Sequence, residues 1–517
     1  MIWGAILLAA NLGLGSWPSA ISFGSGPKRE IIGVPHSFLS PSVVYCKKLT
    51  ARTVKPHEIV GFAKSVRGPA HCYGMIIDER PSATDTLVAV ALLRQSVSDA
   101  CLSQQSILVT LSQSDLAAAR ESLGAAYPDN VAKIVGTVAE GTRIGQLRFE
   151  VFGAPKISAG SLLAADVGEQ PVFFQVFEGK IQEGPTLKES ARAFVEGEAE
   201  QVGIWDAQLG GFETHNWVAS ERSLVRIIDA EVAPPAFELK PYEITIGAIP
   251  NSLFPVNIDL NELVLFHTGI LGVTGSGKSF LAYNLIEECA RRGIKVVCVD
   301  PTGDYQRHLQ DAVLLPSPGQ LKAFLDSADH HIGIVEATLG QQHPIEQTRA
   351  VAQTCVDWCA SKRTDEDILR PTPKVLLVLE EAHLLIPEWN FNPQQGLQNK
   401  VSATSQIVLQ ARKYGLGFLV ISQRTANVVK SVLNQCNTII SFQAFDETGF
   451  DFLRNYMGSY HVQSLPNLKP RHGIIVGKAS LSRRPVMVRF FDQERKLREH
   501  PAEPMPQPQG PEPEATG

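Results

Sequence analysis

Eight consecutive residues, Gly272-Val273-Thr274-Gly275-Ser276-Gly277-Lys278-Ser279, follow the pattern G-x-x-x-x-G-K-[ST]. Glycines in such a loop let backbone N–H groups turn toward phosphate oxygens, and a helix N-terminus adds partial positive charge. Lys278 is then placed to contact the β- and γ-phosphates, and the Ser279 hydroxyl to ligate Mg²⁺. The candidate nucleotide-binding residues are Gly272, Thr274, Gly275, Ser276, Gly277, Lys278, Ser279 and Phe280. ATP with Mg²⁺ is the expected ligand pair.

A second chemical element follows about a hundred residues later. Val375 to Leu379 is an unbroken apolar run, and Glu380, Glu381, Ala382 and His383 come directly after it. A buried strand of this kind delivers its carboxylates at the C-terminal edge of an open α/β sheet, where ligands bind. Glu380 is the candidate metal residue beside Ser279, holding the ion through water. Glu381 is the candidate base that orients the attacking water. His383 either senses the bound state or is a hydrogen-bonded structural residue, and His267 reads as structural. Gln423 ends the run Gly417–Ser422 and can hydrogen-bond a γ-phosphate or the attacking water. Arg412, in Ala411-Arg412-Lys413-Tyr414-Gly415, is either a finger for a neighbouring subunit's site or a surface ion-pair residue.

These residues need a scaffold, and the patterning from about Tyr242 supplies one. Strand-like runs at Leu263–Leu271, Lys295–Val299, Ile332–Val335, Val375–Leu379, Gly417–Ser422 and Thr438–Phe442 alternate with helical patterns. The helices are expected at Ser279–Arg292, Pro344–Ser361, Gln398–Lys413 and Thr425–Leu433. Alternation of this sort signals an α/β class with a parallel sheet between helices. Upstream, from Pro27 to Phe177, short apolar runs broken by turn residues suggest a small barrel or sandwich, with one inserted helix at Ser114–Leu123. Thr186 to Val202 is polar with helical spacing. The expected plan is an N-terminal extension 1–26, a β-rich barrel 27–185, a helical connector 186–241, a motor 242–495 and a Pro/Glu-rich tail 496–517 that has nothing to bury.

The chain has 517 residues, 44% hydrophobic and 19% charged, which excludes a disordered, collagen-like or small disulfide-built protein. Its net charge of −6 argues against coating nucleic acid with the whole surface, so any such contact must be local. Eight scattered cysteines form no C-x-x-C pair and read as small buried apolar residues in a reducing cytoplasm. Ile2 to Leu14 is apolar apart from Asn11 but lacks a preceding basic residue, and it is shorter than the roughly 20 residues that span a bilayer. No stable membrane association is expected.

Taken together, several segments carry a family resemblance. They are Gly247-Ala248-Ile249-Pro250-Asn251-Ser252, His267 through Ser279, Val299-Asp300-Pro301-Thr302-Gly303-Asp304-Tyr305, Glu380 to His383, Ala411 to Gly415, Ser422-Gln423-Arg424 and Leu433 to Thr438. In this order they resemble the HerA branch of the HerA/FtsK DNA-pumping ATPases, over roughly Tyr242 to Phe491. The chain departs from that pattern at Glu380, where the first carboxylate is usually Asp, and at Thr425, where relatives often carry Pro. The resemblance implies a RecA-like P-loop domain behind a small β-barrel. It further implies a homo-hexameric ring with double-stranded DNA in its pore, and a partner nuclease, NurA-like, sirtuin-like or another defence effector. DNA end processing and anti-phage defence are the two expected settings, and the barrel is where the nuclease would dock. Two alternatives stay open: a ring scaffold that assembles and licenses an effector, and a membrane-associated conjugation or secretion ATPase. Pro387 to Lys400 is the candidate pore loop, although its one lysine and no arginine favour an ordinary exposed loop.

Overall fold

The computed structural model describes residues 29–491 except 41–42, 82–84, 94–105, 125–126, 153–155, 169, 184–192, 221–222, 338–342 and 392–394. The apolar run Ile2–Leu14 and the Pro/Glu-rich tail lie outside the described residues. Among those described, no helix is long and apolar enough to cross a membrane.

The chain forms two compact units, one of residues up to 132 with 183–193, the other of 133–182 with 194–517. In the first, strands Ile31–Ser40, Val43–Lys48, Thr86–Leu93, Ala70–Pro81, Ile59–Ala63 and Ile107–Thr110 pair in that order and close into a barrel. Closure removes the exposed sheet edges that short strands otherwise leave. Ile32, Val44, Phe62, Ile76, Val90 and Leu108 fill its core. The inserted helix runs from Gln113 to Leu123, and Ser112 and Asp115 cap it reciprocally. Cys72 is disulfide-bonded, which corrects the reading of every cysteine as a plain apolar residue. Spacing along the chain carries no record of which two cysteines the fold brings within bonding distance. The described cysteines Cys46, Cys289, Cys298, Cys355, Cys359 and Cys436 are buried thiols.

The second unit holds two sheets, so the β-rich region expected over 27–185 is divided between the units. A seven-stranded sheet takes Gln170–Glu183, Leu162–Val167, Leu224–Ile228, Ile134–Val138, Gln146–Val151, Ala193–Asp206 and Gly211–Glu213 in order, and its long strands Gln170–Glu183 and Ala193–Asp206 also pair. The expected helical connector is therefore wrong where it is described: Ala193–Asp206 is a strand. Its polar residues repeat at helical spacing in sequence, but its glutamates meet a cation across the sheet, Glu198 at 2.9 Å and Glu196 at 3.3 Å from Arg148. A buried amide, Gln175, ties this sheet to the motor, donating to the Met487 carbonyl (3.0 Å) and accepting from its N–H (2.8 Å).

The motor sheet has eleven strands. Thr268–Leu271 pairs in parallel with Leu416–Ser422 on one side and Thr438–Ser441 on the other. Val375–Leu379, Lys295–Asp300, Ile332–Glu336 and Val313–Leu314 continue the first side in parallel. Past Thr438–Ser441 the sheet turns antiparallel through His472–Gly477, Val486–Phe490, Glu243–Ala248 and Pro255–Asp259. Two local expectations change. The run Leu263–Leu271 is not one strand: Leu260–Leu265 is a helix capped by Asp259, which accepts from the N–H groups of Asn261 and Glu262. An apolar run buried on all sides has no period, so the cap decides. Thr425–Leu433 is a 3₁₀ turn at Thr425–Asn427 and a short helix at Lys430–Leu433.

Candidate nucleotide site

Strand register gathers the site. Leu271 lies opposite Ser422 and Ser441, Leu379 opposite Val420, and Val299 opposite Leu379. The loops after four parallel strands therefore leave one edge together, which brings Gly272, Glu380, Gln423 and Asp300 to the carboxyl ends of the strands.

The P-loop is shaped by its own contacts and by Phe442. A Cβ at Gly272 would stand 2.7 Å from the Phe442 Cβ, so only glycine lets the loop lie against that strand. Gly277, at φ +115°, turns the chain into the helix Lys278–Arg291. The Ser276 hydroxyl donates to the Val273 carbonyl (2.7 Å), a loop-shaping role. The same carbonyl accepts from the buried Lys278 ammonium at 2.8 Å. Burial lowers the Lys278 pKa, opposed by the nearby Glu381 and Glu380. A folded-back, partly desolvated ammonium above left-handed glycines fits a polyphosphate chain.

The two glutamates have different environments. Glu380 accepts a hydrogen bond from the fully buried Tyr305 hydroxyl (2.6 Å), and burial with Glu381 and Asp300 pushes its carboxyl up to about 7. Tyr305 is held in turn by its N–H on Asp300 Oδ2 (3.0 Å), while Asp300 Oδ1 accepts from the Thr302 N–H and hydroxyl. Glu381 has a left-handed backbone (φ +48°), an unfavourable conformation for a residue with a Cβ and one that collects at functional sites. Burial pushes its pKa up, but hydrogen bonds from His383 and Gln423 outweigh this and hold it below the usual carboxylate value. Gln423 Nε2 donates to Glu381 Oε1, and the Thr274 hydroxyl donates to Gln423 Oε1. His383 Nδ1 stands 3.3 Å from Glu381 Oε2 and 3.4 Å from the Ser422 hydroxyl.

Thr274, Gly275, Gly277, Lys278, Ser279, Phe280, Glu380, Glu381 and Gln423 all border one cavity of about 540 Å³. Gly272 and Ser276 lie within the loop beneath it. Arg412 does not reach it. Its turn precedes the strand Leu416–Ser422, at the sheet edge opposite the P-loop, and its guanidinium sits 3.8 Å from the centre of the Phe266 ring. His267 is a core residue: its Nδ1 accepts from the Phe418 N–H (3.2 Å) and its Nε2 faces the Val408 carbonyl (3.2 Å). Trp389 and Phe391, in the candidate pore segment, are exposed, and Lys400 there pairs with Glu346.

Among the described residues no group of three or more His, Cys, Asp or Glu could hold a metal alone. Sequence gives no role to Tyr305, which lies behind the cavity and meets Glu380 only through the fold, nor to Arg471 and Phe491, which border it. Arg471 and Phe491 reach the P-loop edge through antiparallel strands far along the chain.

Residues 244–457 match the family model "Helicase HerA, central domain". Over that stretch, under half of the chain, the motor is similar to the central domain of HerA-type P-loop NTPases. Among curated relatives, the DNA double-strand break repair helicase HerA of Pyrococcus furiosus is 24% identical over 121 residues, 23% of this chain and 20% of that protein. A probable HerA helicase of Methanocaldococcus jannaschii is 37% identical over 84 residues, 16% of each chain. The chain thus matches about a fifth or less of the length of these two HerA proteins. Among solved structures, the pCW3 conjugation coupling protein TcpA aligns with 71% of this chain and 93% of its own, at 15% identity and a TM-score of 0.38. The genome packaging NTPase B204 of Sulfolobus turreted icosahedral virus 2 aligns with 44% of this chain and 98% of its own, at 15% identity and a TM-score of 0.34.

Proposed function

We propose that this chain is an ATP-driven double-stranded DNA translocase that works as a homo-hexameric ring with a partner nuclease, in DNA end processing or anti-phage defence. The observation that carries the reading is the convergence of Lys278, Ser279, Glu381 and Gln423 on one cavity of a domain similar to the HerA central domain.

ATP lays its phosphates along Gly275–Ser279, and Lys278 leaves the Val273 carbonyl to meet the β- and γ-phosphates. Ser279 directly, and Glu380 through water, would hold Mg²⁺, which would supply neutralisation of the phosphate charge. Glu381, ionised at neutral pH, accepts the proton of the attacking water. Gln423, tied to Glu381 and Thr274, exchanges those bonds for the γ-phosphate or the water and so registers the bound state. Arg412 of one subunit serves as the finger at a neighbour's site, which suits its distance from its own cavity. The β-barrel unit is the docking surface for the nuclease.

The test is ATP-dependent displacement of a triplex-forming strand from linear duplex DNA. Displacement that requires ATP and is lost in Lys278→Ala supports the motor. ATP hydrolysis without displacement on any duplex would instead favour a ring that licenses an effector.

A further inference from the structure

The cavity extends beyond the phosphate chemistry, and the strand order gives it a direction. Glu380 and Glu381 follow a strand two places from the P-loop strand on one side. Three and four places away on the other side, the strands Val486–Phe490 and Glu243–Ala248 bring Phe491, Ile246 and Thr245 to the same cavity. A nucleoside triphosphate whose γ-phosphate faces Glu381 and Gln423 must carry its nucleoside to this second side. Neighbouring strands lie about 4.8 Å apart, so the distance suits a ribose and base rather than more phosphate.

The second side is built for a flat apolar group. Phe491 is 44% exposed although it borders a cavity, and its N–H on the Ile246 carbonyl (3.3 Å) holds it at the edge. Pro470 and Arg471 form a neighbouring wall. Arg471 is fixed in a left-handed backbone (φ +62°), its N–H donating to Ser276 (3.0 Å) and its carbonyl accepting from Phe490 (2.9 Å). That pins the wall to the P-loop itself. Beneath it Phe442 and Phe490 stack with centroids 4.8 Å apart, a rigid floor that cannot collapse into the space.

We infer that Phe491 is the stacking platform for the nucleotide base, with Pro470 and Arg471 as the wall beside it. The inference rests on the ATP-binding reading above and adds the residue that recognises the base. Stacking accepts any π-face, and the Thr245 hydroxyl already donates to Asn257 (2.7 Å), so the recognition inferred here is the ring contact with Phe491.

Titration calorimetry on the full chain separates base from phosphate by comparing ATP with inorganic tripolyphosphate. Phe491→Ala should weaken ATP about ten-fold and leave tripolyphosphate within about two-fold, and Phe491→Trp should restore ATP binding. Unchanged ATP affinity in Phe491→Ala would overturn the platform. An equal loss for both ligands would also overturn it, since it would mean damage to the P-loop. Wild-type protein that binds tripolyphosphate as tightly as ATP contradicts the platform alone, whereas binding of neither contradicts the nucleotide site itself.

Discussion

Gln423 donates its side-chain amide to Glu381 Oε1 across 42 residues of sequence, joining the ends of two adjacent parallel strands. The same amide accepts from Thr274 in the P-loop. Base, phosphate loop and candidate sensor therefore share one hydrogen-bonded chain, so a change at any of the three is felt by the others. Gln423→Glu should make this visible. A second carboxylate beside Glu381 raises its pKa, and the proposed base works ionised, so activity should disappear at a higher pH than in wild type. The pH–rate profile should move its acid limb up by about one unit. An unmoved limb would mean that Gln423 and Glu381 do not act together.

Lys278→Ala and Glu381→Gln should fail differently. Losing the ammonium removes a charge-assisted contact worth about 1.5–3 kcal/mol, so nucleotide affinity should fall roughly ten- to hundred-fold along with hydrolysis. Glu381→Gln keeps shape and its link to Gln423 but loses the base. Hydrolysis should drop about 10²–10⁴-fold while ATP stays bound. Nucleotide-binding titrations beside single-turnover rates check both. Equal loss of binding in the two variants would remove Glu381 from catalysis.

Arg412→Ala should abolish turnover with folding and ATP binding intact, because Arg412 lies outside its own subunit's cavity. Mixing Arg412→Ala with Lys278→Ala subunits should restore some activity, since a mixed interface can pair an intact arginine with an intact P-loop. No recovery in verified mixed assemblies would place Arg412 outside catalysis, with its stacking on Phe266 a structural role.

The fold should be acid-sensitive through its buried imidazoles. Burial takes His461 down to about 3 and His267 to about 4, from 6.5 when exposed. Both stay neutral in the folded chain, so below about pH 6.5 the unfolded state binds more protons and stability falls with pH. Each histidine contributes up to about 1.4 kcal/mol per pH unit. Denaturation midpoints between pH 7 and pH 5 should show that slope, shallower in His461→Leu. An identical slope in that variant would assign the acid sensitivity to other groups.

Much of the motor was legible because its signals are local. Val375–Leu379 and Pro344–Ser361 begin and end where their patterns do, the strand bounded by Lys374 and Glu380, the helix by Pro344 and Lys362. The P-loop residues and both glutamates were readable for the same reason. What sequence could not carry was partnership at a distance. Thr186–Val202 reads as helical from its polar periodicity, yet Glu196 and Glu198 within it lie on a strand and meet Arg148 on another. Phe491 and Arg471 lie some two hundred residues from the P-loop, and only the antiparallel return of the sheet brings them to it. The division of the β-rich region between two units is likewise a matter of strand pairing, which short apolar runs do not encode.

The central claim is a DNA-coupled ATPase, and the most direct measurement is the steady-state ATP hydrolysis rate of the full chain with and without linear duplex DNA. Hydrolysis that duplex DNA stimulates, and that Glu381→Gln abolishes in both conditions, is the expected result. A rate unaffected by duplex DNA, or one that survives in Glu381→Gln, would contradict the account.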